Sequence, residues 1–201
     1  MLALLAFLAG CGGEPKVAPL AAGASILAFG DSVTFGTGAA TGEDYPTQLA
    51  AISGWQITNA GIPGDTAEAA KGRVRAAIEQ SQPALVIVEL GGNDFLRRRP
   101  ENQVREDLRV ILNEVRRAGI PVVLVAVPRF SLVGAVVGAL PDAELYEQLA
   151  KEEKVPLVPK VFARILSDPA LKADQIHPNA AGYRQLAEGI AERLREVGWL
   201  R

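Results

Sequence analysis

The stretch Ala28-Phe29-Gly30-Asp31-Ser32-Val33-Thr34-Phe35-Gly36 decides how this chain is read. An apolar run stops abruptly at Gly-Asp-Ser, and another glycine follows four residues after the serine. Two readings compete. Ser32 is either a nucleophile on a sharp strand-to-helix turn or part of the cap of the next helix, a role that Asp31 or Ser32 would fill well.

Outward from this stretch, short apolar runs alternate with helical patterns. Residues 25–30 (SILAFG), 55–61 (WQITNAG), 84–90 (ALVIVEL), 121–127 (PVVLVAV) and 155–159 (VPLVP) read as strands. The third and fourth are nearly continuous Val, Ile and Leu, the pattern of parallel strands buried on both faces. A helix is expected from Asp65 to Ser81 with Asp65 at its N-cap. A second is expected from Glu101 to Ala118, where Val104, Leu108, Ile111, Leu112 and Val115 form one apolar stripe and Gly119 ends it. A third runs from Pro178 to Val197, with Pro at its first position. This alternation predicts an α/β domain: a parallel sheet with helices on both faces, right-handed crossovers, and ligands at the carboxyl ends of the strands.

The 201 residues suit one domain with a real core. Hydrophobic residues make up 49% and charged residues 22%, a globular balance. Lys and Arg number 21 against 23 Asp and Glu, so no basic excess points to nucleic acid. One Cys and one His rule out an intrachain disulfide and disfavour a zinc site, which takes three or four protein ligands. Any mechanism that uses a histidine must use His177.

The first ten residues, MLALLAFLAG, are wholly apolar and lead into Cys11. Ten residues are too few to span a bilayer as a helix, which takes about 20. They match the apolar region of an export signal. Leu8-Ala9-Gly10-Cys11 resembles the lipobox of bacterial lipoproteins, in which the cysteine is acylated. No Lys or Arg precedes the apolar run, which departs from that pattern. The alternative is an ordinary cleaved signal. Residues 1–10 are thus expected to be a signal segment, 11–23 a Gly-, Pro- and Ala-rich tether after a lipidated Cys11, and 24–201 the folded domain. The expected location is the periplasm or cell envelope, on a membrane anchor.

Three strand-following loops carry the unusual residues: Gly30-Asp31-Ser32, Asn59 to Thr66, and Gly91-Gly92-Asn93-Asp94. Asp174-Gln175-Ile176-His177, just before the last helix, should reach the same edge. A serine hydroxyl needs a base to take its proton, and the base needs a third group to orient it. Ser32, His177 and Asp174 fit those roles. Gly61 N–H, the Asn93 amide and Ser32 N–H fit an oxyanion hole.

These blocks, GDS at 30–32, Gly61, GGND at 91–94 and DQIHPN at 174–179, resemble the four blocks of the SGNH, or GDSL, hydrolases. The resemblance runs from about Ser25 to the C-terminus. It implies a three-layer, flavodoxin-like α/β/α fold with a five-stranded parallel sheet. It also implies Ser32 as nucleophile, Asp174 and His177 as its triad partners, and Gly61 and Asn93 as oxyanion donors. NAGIPGDTAEAAKGRV, LVIVELGGNDFLR and DQIHPNAAGY are most similar to the bacterial thioesterase I/lysophospholipase and arylesterase branch. That branch implies hydrolysis of carboxylic esters and thioesters, without metal or organic cofactor. Val33 stands where a familiar variant has Leu.

Plainer readings stand beside these. Asp174 could bond only its own turn backbone, and Gly61 could serve only turn geometry. Asp94 reads as a partner for a neighbouring loop or as a helix cap. Arg97-Arg98-Arg99 reads as a solvated basic run that could also meet a phosphate. The uncharged stretch 130–140, with Phe130, Leu132 and Val133, could line an acyl channel or pack on the core. Two alternative functions remain: a carbohydrate or peptidoglycan O-acetylesterase, and a lipid-anchored binding protein without catalysis.

Overall fold

The computed structural model describes residues 18–129 and 140–201. Five strands form one parallel sheet: β1 (Ser25–Gly30), β2 (Gln56–Gly61), β3 (Leu85–Glu89), β4 (Val122–Val125) and β5 (Leu157–Val158). Their order is β2-β1-β3-β4-β5. From β1 the chain first builds outward to β2, then crosses back to add β3 on the other side. The carboxyl end of β1 is therefore the point where the winding reverses and a crevice opens. Ser32 leaves the sheet at that point. The register aligns Gly30 with Gly61 on one side and with Glu89 on the other, so three loops start at one level.

The strands show why they were legible. β3 and β4 are buried along their whole length, and β1 is buried from Ile26 onward. β2 lies at the edge and alternates only between exposed and half-buried residues. β5 keeps two residues of the expected 155–159 run; Pro156 and Pro159 bracket it and have no N–H to offer a ladder.

Nine helices flank the sheet among the described residues: α1 (Ser32–Phe35), α2 (Tyr45–Ser53), α3 (Ala67–Ala70), α4 (Val74–Ser81), α5 (Gly92–Leu96), α6 (Glu101–Arg117), α7 (Glu144–Glu153), α8 (Val161–Ser167) and α9 (Ala180–Glu196). α6 buries the stripe read from its spacing, Val104, Leu108, Ile111, Leu112 and Val115. Each such side chain contributes roughly 1.5–3 kcal/mol by leaving water. α6 packs with α3, α4 and α7, while α9 packs with α2 and α8, giving the three-layer architecture. Gly119, at φ +73°, follows α6 as its left-handed terminator.

Two helix expectations are corrected. The single helix from Asp65 to Ser81 is two, α3 and α4, and its cap is Thr66, whose hydroxyl accepts the Ala69 N–H. Asp65 instead pairs with Arg73, which sits in the break. The last helix begins at Ala180 because Asn179 caps it, accepting the Gly182 N–H at 3.0 Å. Pro178 lies outside it, bridged to Lys172. The signal segment, Cys11, and Phe130, Leu132 and Val133 lie outside the described residues.

Candidate active site

The cap beside Ser32 is Asp31. The Asp31 side chain is the N-cap of α1, accepting the Val33 N–H at 3.0 Å. Ser32 is the first helical residue and its hydroxyl is left for another partner. The turn admits no side chain at position 30: a Cβ there would lie 2.0 Å from Thr34 Oγ1 and 2.4 Å from the Glu89 carbonyl oxygen. Gly36, at φ +101°, closes the short helix by donating its N–H to Ser32 O.

His177 Nε2 lies 3.0 Å from Ser32 Oγ, across 145 residues of sequence. His177 Nδ1 lies 2.8 Å from Asp174 Oδ2. With Nδ1–H donating to the carboxylate, the Nε2 lone pair is left to accept the Ser32 hydroxyl proton. Asp174 makes both kinds of contact weighed for it. Oδ1 accepts the Ile176 and His177 N–H groups at 2.8 Å each, and Oδ2 takes the imidazole. Its partial burial raises the carboxyl pKa, but the bonds from the His177 ring and those two N–H groups outweigh this and hold it below the usual value.

The His177 loop is braced from several sides. Ala173 N–H donates to His177 O at 2.9 Å, pinching the loop closed. Gly38 supports it from the α1–α2 connection; a Cβ there would lie 2.6 Å from Pro178 O. Asn179 Nδ2 donates to Ala170 O, and Tyr183 OH donates to Thr37 O, which fixes α9 beside the Ser32 turn.

The expected oxyanion donors occupy the same edge, but two are engaged. Asn93, on α5, donates Nδ2 hydrogens to Asp31 Oδ2 at 3.1 Å and to Asp65 O at 2.9 Å. Gly61 N–H donates to Asn59 Oδ1 at 3.0 Å. An oxyanion would have to share or displace those acceptors. Ser32 N–H is among the donors that a helix start leaves without an intrahelical partner. Gly61 must be glycine on steric grounds, since a Cβ would lie 2.2 Å from Phe35 N. A small cavity of about 20 Å³ adjoins Ser32, His177, Asn93, Leu96, Phe162 and Ile176.

Two buried carboxyls lie behind the serine. Burial pushes Asp31 up to about 6, against the lowering effects of the Val33 N–H, the charge of His177 and the Asn93 amide. Glu89, fully buried at the end of β3, accepts the Thr34 hydroxyl at 3.2 Å, while its Oε1 has no partner among the described residues. Burial first, then the neighbouring Asp31 charge, raises Glu89 well above the usual carboxylate range. Sequence reading passed over Glu89. The signal was there: one carboxylate at the end of an otherwise apolar strand.

Asp94 Oδ2 accepts the Ala67 N–H at 2.9 Å and Oδ1 takes Arg99, so it ties two loops together. The three arginines separate: Arg99 turns inward to Asp94 and Asp107, while Arg97 donates to Gly64 O at 3.0 Å. Among the described residues, no group of three or more His, Cys, Asp or Glu side chains is placed to hold a metal ion.

The GDSL-like lipase/acylhydrolase family model matches residues 28–185, which include every block of this site. The chain belongs to that family. Membership makes it an ester hydrolase of the SGNH type. The family member is 33% identical over 182 residues to thioesterase 1/protease 1/lysophospholipase L1 of Escherichia coli K12, covering 88% of this chain and 86% of that one. It is 30% identical over 210 residues to esterase TesA of Pseudomonas aeruginosa, covering 98% and 100%. A crystal structure of TesA superposes with a TM-score of 0.75 at 28% identity, covering 86% of this chain and 99% of that one.

Proposed function

We propose that this SGNH hydrolase cleaves carboxylic esters and thioesters through an acyl-enzyme on Ser32. The linked contacts from Ser32 Oγ to His177 Nε2 at 3.0 Å and from His177 Nδ1 to Asp174 Oδ2 at 2.8 Å carry this reading. His177 takes the Ser32 proton as Oγ attacks the carbonyl carbon. Asp174 stabilises the imidazolium that forms. The oxyanion is received by Ser32 N–H, joined by Asn93 and Gly61 as they exchange their present acceptors. His177 then protonates the leaving alcohol or thiol, and water repeats the cycle from the other side.

The substrate class follows from similarity to proteins named thioesterase, lysophospholipase and esterase. A p-nitrophenyl ester series from acetate to palmitate, with an acyl-coenzyme A series beside it, tests the reading. Parental activity in Ser32→Ala, or no labelling of Ser32 by a fluorophosphonate, would overturn it. A second reading, an O-acetylesterase, predicts strict preference for acetate.

We further propose that Cys11 carries a lipid anchor, with the enzyme held in the periplasm or cell envelope. Leu8-Ala9-Gly10-Cys11 supports this. Among the described residues no helix is long and apolar enough to cross a membrane. Incorporation of labelled palmitate into the parent but not into Cys11→Ser is the expected result.

A further inference from the structure

Arg73 lies in the break between α3 and α4 and takes no part in the chemistry above, yet its guanidinium reaches three elements of the site. Nη2 donates to Gly30 O at 2.8 Å, Nη1 to Ala60 O at 2.9 Å, and Nε to Asp65 Oδ2 at 2.7 Å. Its plane sits over the buried Phe29 ring, 4.1 Å from the centroid. The side chain is only 22% exposed and its Asp65 partner 8%.

What these partners carry is the argument. Gly30 precedes the Asp31-Ser32 turn, and Ala60 precedes Gly61. The carbonyl of Asp65 receives an Asn93 hydrogen, while its carboxylate is held by Arg73. Each oxyanion donor is thus within two residues, or one further hydrogen bond, of a residue that Arg73 holds. We propose that Arg73 is a positioning residue that holds Ser32 N–H, Gly61 N–H and the Asn93 amide in register. The proposal rests on the reading of Ser32 as the nucleophile.

The planar fork explains why this residue is arginine. It meets two strand-end carbonyls and one carboxylate at once while its face lies on an aromatic ring. A lysine ammonium is a point charge on a flexible stem and cannot do all of these together. A misplaced donor weakens the transition state more than the bound ester, because the charge it stabilises develops only during attack.

The test compares Arg73→Gln, Arg73→Lys and Ser32→Ala with the parent on p-nitrophenyl butyrate, with thermal unfolding and fluorophosphonate labelling measured on each. Arg73→Gln is expected to lower kcat about 10²-fold, the cost of displacing a group by about 1 Å, with KM within about threefold. The labelling rate of Ser32 should fall in parallel. Arg73→Lys should recover part of the loss. Folded Arg73→Gln with parental kcat overturns the proposal, as does a loss in both variants that merely tracks the unfolded fraction. If Arg73→Gln does not fold, Arg73→Lys decides: parental kcat overturns, and reduced kcat at parental stability supports. Parental activity in Ser32→Ala would overturn the underlying reading as well. An inactive Ser32→Ala beside a parental Arg73→Gln overturns this proposal alone.

Discussion

Asp31 caps α1 by accepting the Val33 N–H, and so frees the neighbouring Ser32 hydroxyl to face His177. Two adjacent polar residues at one helix start divide the work. Had the serine been the cap, its lone pairs would have turned back on the backbone.

Asp31 also makes stability depend on pH. Burial raises its carboxyl from 3.8 to about 6, so the folded protein binds this proton more tightly than the unfolded chain. Its favourable contribution is full in acid and is lost as pH rises through 3.8 toward about 6. Asp31→Asn removes the titration. Urea unfolding of parent and variant should show the variant gaining about 3 kcal/mol relative to the parent between about pH 3.5 and pH 7. A constant difference across that range would contradict the assignment.

Asp174→Asn should leave the turn intact, since an amide oxygen can still accept the Ile176 and His177 N–H groups. It removes the charge that stabilises an imidazolium. A fall in kcat of about 10³- to 10⁴-fold with little change in melting temperature is expected from steady-state kinetics and calorimetry.

Burial and the neighbouring Asp31 charge raise the Glu89 carboxyl well above its ordinary value of 4.5, so the folded protein binds this proton more tightly than the unfolded chain. Its contribution to stability is full in acid and is lost as pH rises above 4.5. Glu89→Gln keeps an oxygen for the Thr34 hydroxyl and is expected to change stability by less than about 1.5 kcal/mol in acid, where both side chains are neutral. Melting temperatures should decline less in the variant as pH rises from that range. An identical decline in both proteins would place the sensitivity elsewhere.

Gly61→Ala places a Cβ 2.2 Å from Phe35 N, against backbone that cannot rotate away. The strain should cost about 1–3 kcal/mol, read as a shift in the denaturation midpoint, and should move the Ser32 turn enough to reduce kcat. A variant with unchanged midpoint would show that α1 gives way freely.

Much of this architecture can be read from β3 and β4, whose doubly buried faces are filled by Val, Ile and Leu apart from Glu89 at the end of β3. The α6 stripe is equally plain. Helix ends were harder, and for local reasons. The α3–α4 break holds Arg73, whose bonds to carbonyls far away in sequence are not encoded by spacing. Asn179 outcompeted Pro178 because a side-chain cap satisfies a backbone N–H that proline only tolerates losing. At the site, the contacts among Ser32, Asp174 and His177 were legible because one histidine left no other choice. That Asn93 and Gly61 already hold acceptors was not, since hydrogen bonds among loop residues depend on their relative placement.

A sequence separation of 145 makes the hydroxyl–imidazole contact of Ser32 and His177 a strongly non-local one. A nascent chain that ends before His177 owns a complete first turn and no imidazole to meet it. Recovery of ester cleavage during refolding therefore timestamps the docking of the C-terminal segment that carries His177.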